Sequence, residues 1–303
     1  MKKYNNIADK LVKSSIANPE RIYNYLLYIS AAFFSVLIIF PFYFLFVVSI
    51  TPQHGLAEVR YLPTGFQWEN YIDTLEIVPL HQYILNSIII ATITTVFVLI
   101  VASLAGYVFG RFKFKGRGVL LVAFLIITYF PGTTYIIPLF RLFTGNISLF
   151  GLATPDLYGT PWPVVLPLAG ITLPLATFIL TVFYSRIPDG LEDAARIEGC
   201  TRIGALFRVI VPLSAPAVAT VGILTFILVY NEFFFSFLLT DSSYNNWAPL
   251  VHGIQMYEVT TVRGSPYHLM AAGSILGLIP VTVLVFLGQK KIVSGLTAGA
   301  LKE

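Results

Sequence analysis

The sequence predicts an all-α membrane protein with six transmembrane helices, and three observations support this fold class. Of the 303 residues, 56% are hydrophobic and only 11% are charged, and the mean hydropathy of +0.79 lies far outside the soluble range. Six apolar runs are long enough to cross about 30 Å of hydrocarbon, which requires about 20 helical residues. Lysine and arginine are concentrated in alternate connecting segments. A soluble globular domain is therefore excluded.

Each apolar run is too long for a buried strand and lacks the alternating pattern of an outer-membrane barrel. The predicted spans lie near residues 26–50, 84–109, 119–140, 164–184, 213–239 and 269–287. In the second span, Gly106 and Gly110 form a GxxxG pair that allows another helix to approach closely. In the third span, we expect Pro131, Gly132 and Pro138 to produce a kink. The spans are therefore not all expected to be straight.

The distribution of basic residues predicts the orientation in the membrane. With a cytoplasmic N-terminus, the inner segments hold all of the 19 lysines and arginines except Arg60, Arg141 and Arg263. Because basic residues flanking spans remain on the cytoplasmic side, and because six spans return the chain to its starting side, we expect both termini to be cytoplasmic. The first run is too long for a cleaved secretion signal. The net charge of +4 then reflects topology and does not require a nucleic-acid partner.

The polar segment 188–212 interrupts the apolar second half of the chain and is expected to contact a partner. It reads PDGLEDAARIEGCTRIGALFRVIVP. Asp189 and Glu192 form a capping-box pattern, in which Asp189 caps the first helical turn and Glu192 reaches back. Gly199 is expected to end this helix because glycine tolerates left-handed backbone geometry. A second short helix then leads to Pro212, at the start of the next span.

This segment resembles the cytoplasmic loop of the permease subunits of ATP-binding-cassette (ABC) importers. That loop reads Glu-Ala-Ala, three residues, Gly, nine residues, Ile-x-Leu-Pro. The matching positions are Asp193, Ala194, Ala195, Gly199, Val209, Val211 and Pro212. Aspartate replaces the family's glutamate, and two valines replace its isoleucine and leucine. Residues 86–116 are similar to the corresponding stretch of carbohydrate-type permeases, and residues 294–300 resemble the tail of the maltose-importer type.

The resemblance implies the type I ABC importer permease fold, with a coupling helix between the fourth and fifth spans. It implies a permease domain over 26–289 in the inner membrane of a prokaryote, flanked by cytoplasmic segments 1–25 and 290–303. The expected ATPase-coupling residues are Leu191, Glu192, Asp193, Ala194, Ala195, Glu198, Gly199 and Pro212. Of these, Glu192 and Asp193 are expected to pair with basic or amide groups of the ATPase. The tail residues expected to dock on the ATPase are Gly295, Leu296, Thr297, Ala298 and Gly299.

The partners implied by the resemblance are a second, similar permease subunit, two ATPase subunits and an external solute-binding protein. Together the permeases form a pathway for a carbohydrate, either an oligosaccharide, a sugar or a related polyol or glycerol phosphate. The dipeptide Gly-Lys of a phosphate-binding loop is absent from this sequence. ATP and Mg²⁺ are therefore expected in the partner ATPase, and the chain is expected to be a transport subunit and not an enzyme.

Glu232 lies within the predicted fifth span, where a charged residue costs about 2.5–3.5 kcal/mol near the membrane centre. One interpretation is that this acid belongs to a group of residues lining the translocation pathway. That group consists of Tyr230, Asn231, Glu232, Phe233 and Phe234. The alternative is that Asn231 and Glu232 only bond to a neighbouring helix. The residues alone leave both interpretations open.

Other classes of function have weaker support. Four histidines, His54, His81, His252 and His268, are predicted outside the membrane without a close pair, and Cys200 is the single cysteine. We therefore interpret the histidines as interfacial and expect no metal site. An ATPase-independent channel or secondary transporter is the alternative function, and many secondary transporters contain inverted repeats that are not evident here. A membrane-embedded enzyme would require clustered carboxylates or histidines within the spans.

Overall fold

The chain is largely helical. The structure, a computed structural model, describes residues 19–53, 61–63, 65–149, 151–260 and 266–300. His54, the N-terminal segment up to residue 18 and the tail beyond residue 300 lie outside the described residues. Between the third and fourth spans, β1 (Ser148–Leu149) and β2 (Leu152–Ala153) form a small antiparallel hairpin. The all-α class is thus confirmed, apart from this hairpin.

Among the residues that the structure describes, four helices are long and apolar enough to cross a membrane. They are α1 (Pro19–Ser49), α3 (Leu80–Arg111), α6 (Trp162–Tyr184) and α13 (Tyr267–Ala300). Two further candidates are bent pairs, Arg117–Tyr129 with Gly132–Phe143 at 83° and Arg202–Leu213 with Ala215–Tyr230 at 84°. The described residues therefore hold six spans, as predicted, if each bent pair counts as one.

Shorter elements complete the chain. Before α3 lies α2 (Glu69–Ile77), and the third span consists of α4 (Arg117–Ile126), 3-10 turns at Ile127–Tyr129 and Gly132–Tyr135, and α5 (Ile136–Phe143). After α6 come α7 (Asp189–Ile197), α8 (Arg202–Ala205), a π-helical turn (Leu206–Ile210), α9 (Val211–Leu213) and α10 (Ala215–Tyr230). Before α13 come α11 (Phe234–Leu239), a 3-10 turn (Tyr244–Asn246) and α12 (Leu250–Thr260).

The GxxxG pair lies in the contact between α3 and α6. A Cβ atom on Gly106 would lie 3.0 Å from the Cβ of Leu180, and one on Gly110 would lie 3.2 Å from the carbonyl oxygen of Thr181. A Cβ atom at either position would be tightly placed, so the two glycines favour the contact. The buried Tyr184 hydroxyl adds a hydrogen bond to α3, donating to Ser103 Oγ at 3.2 Å. The predicted close approach of another helix is confirmed.

The predicted kink in the third span is also confirmed. The chain breaks between Tyr129 and Gly132, and the two halves are bent by 83°. The break packs against α11, since a Cβ on Gly132 would lie 3.0 Å from the ring of Phe235. Tyr135 stacks on the same ring, with 6.2 Å between centroids. The break in the third span therefore packs against α11, which follows the fifth span.

The prediction of one continuous fifth span over 213–239 is wrong. The helix α10 ends at Tyr230, and the chain becomes helical again only at Phe234. Asn231 Nδ2 donates to the carbonyl oxygen of Ile227 at 2.8 Å. Polar side chains of this kind compete with the regular helical bonds of the backbone, and the next residue, Glu232, binds the following helix. Continuous hydropathy across the segment hides this break.

Candidate functional site

The helix α7 lies within the polar segment 188–212, but the predicted capping box is wrong. The helix starts at Asp189, with Pro188 before it, and no side chain caps its first turn. The carboxylate of Asp189 instead lies 3.0 Å from Nη1 of Arg111, and Glu192 also turns towards this arginine. A basic side chain from another helix therefore outcompetes the local backbone N–H groups for both acids.

The C-terminus of α7 is as predicted. Gly199 has a φ of +91°, the left-handed conformation in which glycine is favoured. Its N–H donates to the carbonyl of Arg196 at 3.1 Å, and the N–H of Cys200 donates to that of Ala195 at 3.0 Å. These two bonds are the Schellman arrangement that satisfies the last carbonyls of a helix. Gly199 thus gives α7 a defined end.

Glu192 anchors α7 to the end of α3. Tyr107 Oη donates to Glu192 Oε1 at 2.5 Å, and Arg111 Nε donates to Glu192 Oε2 at 2.8 Å. Arg111 Nη1 also donates to the carbonyl oxygen of Ile187 at 2.6 Å. The side chains of Arg111 and Glu192 are only 5% and 13% exposed. Ionised partners and partial burial make these contacts stronger than ordinary surface bonds.

The protonation state of Glu192 follows from the same contacts. Burial alone raises the pKa of this carboxyl, but the hydrogen bonds from Tyr107 and Arg111 and the positive charge of Arg111 outweigh burial. The pKa of Glu192 is therefore below its ordinary value of 4.5. Both carboxylate oxygens are bound within the chain, which argues against the expected pairing of Glu192 with an ATPase group.

The other predicted coupling residues divide between two faces of the segment. Ala195 is buried, whereas Leu191 and Ile197 are 45% and 87% exposed. Asp193 is 64% exposed and lies 3.9 Å from Arg196, a loose pair on one helix. The exposed residues also include Ala194, Glu198, Gly199 and Pro212. An uncovered face that combines apolar groups with an exposed acid is suited to contact another protein.

A second contact joins this segment to α3. The guanidinium carbon of Arg202, the first residue of α8, lies 4.7 Å from the ring centroid of Phe112. This distance allows a cation–π interaction. Sequence reasoning missed the roles of Tyr107, Arg111 and Phe112, and counted Arg111 only as a topology signal. All three residues lie in the stretch 86–116, which resembles carbohydrate-type permeases. This resemblance was the signal that could have pointed to them.

Glu232 lies in the break between α10 and α11. Its Oε1 accepts the N–H of Phe235 at 2.8 Å, and its Oε2 accepts the N–H and Oγ–H of Ser236 at 3.0 and 3.1 Å. The first N–H groups of a helix lack internal partners, and the helix dipole favours negative charge there. The carboxylate that sequence reasoning placed inside a span therefore caps the N-terminus of α11.

The residues around Glu232 do not share one environment. Tyr230 is buried and its hydroxyl donates to the carbonyl oxygen of Gly277 in α13 at 2.7 Å, so it joins two helices. Phe234 is partly buried against the core. Asn231 is exposed, and Phe233 is 47% exposed and stacks on Phe237 with 5.3 Å between centroids. Asn231 and Phe233 are thus the two members of the predicted group that are accessible in this chain.

The histidines are not all interfacial. His252 and His268 are 3% and 7% exposed, which corrects that interpretation for both, while His81 is exposed. His252 Nε2 lies 3.1 Å from Thr240 Oγ1 and from the carbonyl oxygen of Ser236, and burial lowers the pKa of this imidazole. Across the part of the chain that the structure describes, no three potential ligands cluster around a metal position.

The tail residues lie at the end of the last helix. They are Gly295, Leu296, Thr297, Ala298 and Gly299, and α13 ends at Ala300. The backbone of this stretch therefore continues the sixth span without a break.

The chain is similar to known transport proteins. A family model described as "Binding-protein-dependent transport system inner membrane component" matches residues 102–297. The sulfoquinovosyl glycerol transport system permease protein SmoH of Agrobacterium fabrum is 32% identical over 91% of this chain and 93% of its own length. The trehalose/maltose transport system permease protein MalG of Thermococcus litoralis is 36% identical over 91% and 96%.

A solved structure shares the fold. A chain from the crystal structure of a bacterial ABC transporter involved in the import of the acidic polysaccharide alginate superposes with a TM-score of 0.69. It is 17% identical, and the match covers 90% of this chain and 97% of that one. The family match and the two relatives agree with the motif in segment 188–212. This chain belongs to the inner-membrane components of binding-protein-dependent transport systems, as an ABC importer permease of the carbohydrate type.

Proposed function

We propose that this permease forms half of a translocation pathway for a carbohydrate that an external solute-binding protein delivers. A second, similar permease forms the other half, and two ATPase subunits supply the energy with ATP and Mg²⁺. The relatives named for sulfoquinovosyl glycerol, trehalose and maltose support the carbohydrate class. The exposed face of α7, held rigidly at the end of α3, is the observation that carries the proposal.

The orientation of the proposed assembly follows from charge. Both termini and α7 face the cytoplasm, because basic residues are concentrated in those segments. The exposed side chains of Leu191 and Ile197 then enter a cleft of one ATPase subunit, and Asp193 pairs with a basic or amide group there. The permease domain covers residues 26–289, and the end of α13 over 295–299 provides a second contact to the ATPase subunits.

The break between α10 and α11 is the proposed location of the pathway in this subunit. Asn231 offers a polar side chain, and Phe233 offers a flat apolar ring against which a sugar can stack. Glu232 supports both indirectly, because its carboxylate fixes the start of α11. This proposal combines the two earlier interpretations, since Glu232 is engaged in packing while its neighbours are accessible.

The test is affinity purification of the tagged chain in mild detergent, followed by mass spectrometry of the associated proteins and an ATPase assay. We expect an ATPase, a second permease and hydrolysis that a sugar-loaded binding protein stimulates. The bound sugar of that protein identifies the substrate. A chain that purifies without a nucleotide-hydrolysing partner contradicts the proposal and favours a channel or secondary transporter.

A further inference from the structure

The contact between α7 and the end of α3 is more elaborate than docking of an ATPase requires. We propose that Tyr107, Arg111 and Glu192 form a rigid joint, the α3–α7 joint, that transmits movement of α7 to α3. In this view the main route from the ATPase into the membrane does not run along the chain through Pro212 into α10. The inference rests on the proposed function, because it assumes that α7 moves with an ATPase subunit.

The joint is stiff because its members hold each other at several points. Glu192 receives hydrogen bonds from Tyr107 and Arg111, and Arg111 also holds the carbonyl of Ile187 just before α7. The guanidinium is planar and donates in fixed directions, so it resists rotation as well as translation. Moving α7 without α3 would leave a largely buried charge without its partner, which is strongly unfavourable.

Movement of α3 then involves α6. Tyr107 follows directly after Gly106, where a Cβ atom would lie only 3.0 Å from α6, and Gly110, which has a similarly tight contact, precedes Arg111. The two joint residues on α3 are therefore adjacent to the two glycines of the close contact between α3 and α6. Closely packed interfaces move as units because they cannot deform continuously. A displacement at the joint is thus delivered to α3 and α6 together.

The route along the chain is less direct. Between α7 and α10 lie the short α8, a π-helical turn, α9 and a bend of 84°. Pro212 and Leu213, which precede the bend, are both exposed in this chain. Leu206 and Ile210 are fully buried, but the bend turns this stretch away from the axis of α10, so a push along it does not continue directly into α10. The α3–α7 joint, by contrast, connects α7 to a membrane helix through side chains in direct contact.

The chain offers a matched pair of variants for the test. Asp189 and Glu192 both contact Arg111, but the side chain of Asp189 is 85% exposed and that of Glu192 is 13% exposed. Glu192→Gln and Asp189→Asn each replace a carboxylate by an amide of the same shape. Each variant is purified as the complete transporter, and ATP hydrolysis is measured with and without the solute-binding protein carrying the sugar with which it purifies.

We expect Glu192→Gln to reduce the stimulation by the binding protein about tenfold, since it removes charge-assisted bonds in the joint. Basal hydrolysis and the amount of co-purifying ATPase should stay within about twofold of wild type, which a purely structural role would not produce. Asp189→Asn should keep its stimulation within about twofold, because an exposed ion pair contributes little.

Two results would overturn the inference. One is normal stimulation in Glu192→Gln, and the other is loss of the ATPase subunits from that variant, which would assign the joint to docking. If Glu192→Gln does not give a folded complex, Tyr107→Phe decides, because it keeps the ion pair. A loss of stimulation of about threefold then supports the joint, and wild-type stimulation refutes it. A wild-type complex that lacks stimulation would instead refute the proposed function itself.

Discussion

Glu192 and Glu232 are both held by their own chain, but at very different ranges. The partners of Glu192 are 81 and 85 residues away in the sequence, on another helix. The partners of Glu232 are three and four residues ahead, in the first turn of α11. The first acid therefore connects two elements, and the second shapes one turn. Changes at Glu192 should alter communication between elements, whereas changes at Glu232 should alter local geometry.

The largest expected effect is on the partner of Glu192. Arg111→Met leaves a largely buried carboxylate unpaired, which should destabilise the protein by about 3–5 kcal/mol. Thermal unfolding of the purified complex in detergent measures this change. Arg196→Met is the control, because its pair with Asp193 is loose and exposed and should contribute less than about 0.5 kcal/mol. Equal losses in the two variants would contradict the distinction between the two pairs.

At the local site, Glu232→Ala removes the side chain that caps α11. By analogy with lost helix caps, we expect a destabilisation of about 1–2 kcal/mol. Uptake of the sugar should fall because the break is no longer held, while assembly with the other subunits stays normal. Asn231→Ala serves as the control for stability, since its bond to Ile227 is exposed. Unchanged uptake and stability in Glu232→Ala would show that Glu232 does not hold the start of α11.

The end of α7 offers a sharper comparison within one helix. Gly199→Ala places a side chain at a φ of +91°, which should cost about 1–2 kcal/mol. Gly190→Ala, near the start of the same helix, has open space and no positive φ, and should be stabilising by about 0.5–1 kcal/mol. Thermal unfolding should therefore shift in opposite directions, and stimulation by the binding protein should fall only in Gly199→Ala. Shifts of the same sign would show that the left-handed geometry is not required.

The smallest expected effect is on pH dependence. Because the folded pKa of Glu192 is below 4.5, its stabilisation is complete above that value and is lost as the pH falls through the lowered pKa. Titration of Glu192 should therefore leave the stimulation of ATP hydrolysis by the binding protein unchanged between about pH 5 and pH 7. Measuring stimulation in wild type and in Glu192→Gln over this range isolates the contribution of the Glu192 carboxyl to the pH dependence. A loss of stimulation with a midpoint above pH 5 that is absent in Glu192→Gln would disagree with the lowered pKa.

Local signals in the sequence predicted much of the fold. Length and hydropathy predicted the spans, Pro131 and Gly132 predicted a bend, and Gly106 and Gly110 predicted a close helix contact. Gly199 was expected to end α7, and its left-handed φ agrees. Each of these features depends on one residue type in a local context. Such properties can be evaluated without knowing which segments meet in space.

The errors arose where side-chain contacts override the local pattern of residue types. The capping box at Asp189 and Glu192 was plausible locally, but Arg111 on α3 binds both acids. The break after Tyr230 was hidden because the apolar run continues through three phenylalanines, while Asn231 and Glu232 redirect the backbone. Burial of His252 likewise depends on how α12 packs. Apart from the family-like stretch 86–116, which contains Arg111, these contacts have no signature in a single sequence.

The most direct measurement is a double-mutant cycle between Glu192→Gln and Arg111→Met, with stimulation of ATP hydrolysis by the sugar-loaded binding protein as the readout. If both residues act through one joint, each single variant removes the same connection. The double variant should then be no more impaired than the worse single variant, within about twofold. Losses that multiply would mean that Glu192 and Arg111 act separately, and this result would contradict transmission of movement from α7 to α3 through their contact.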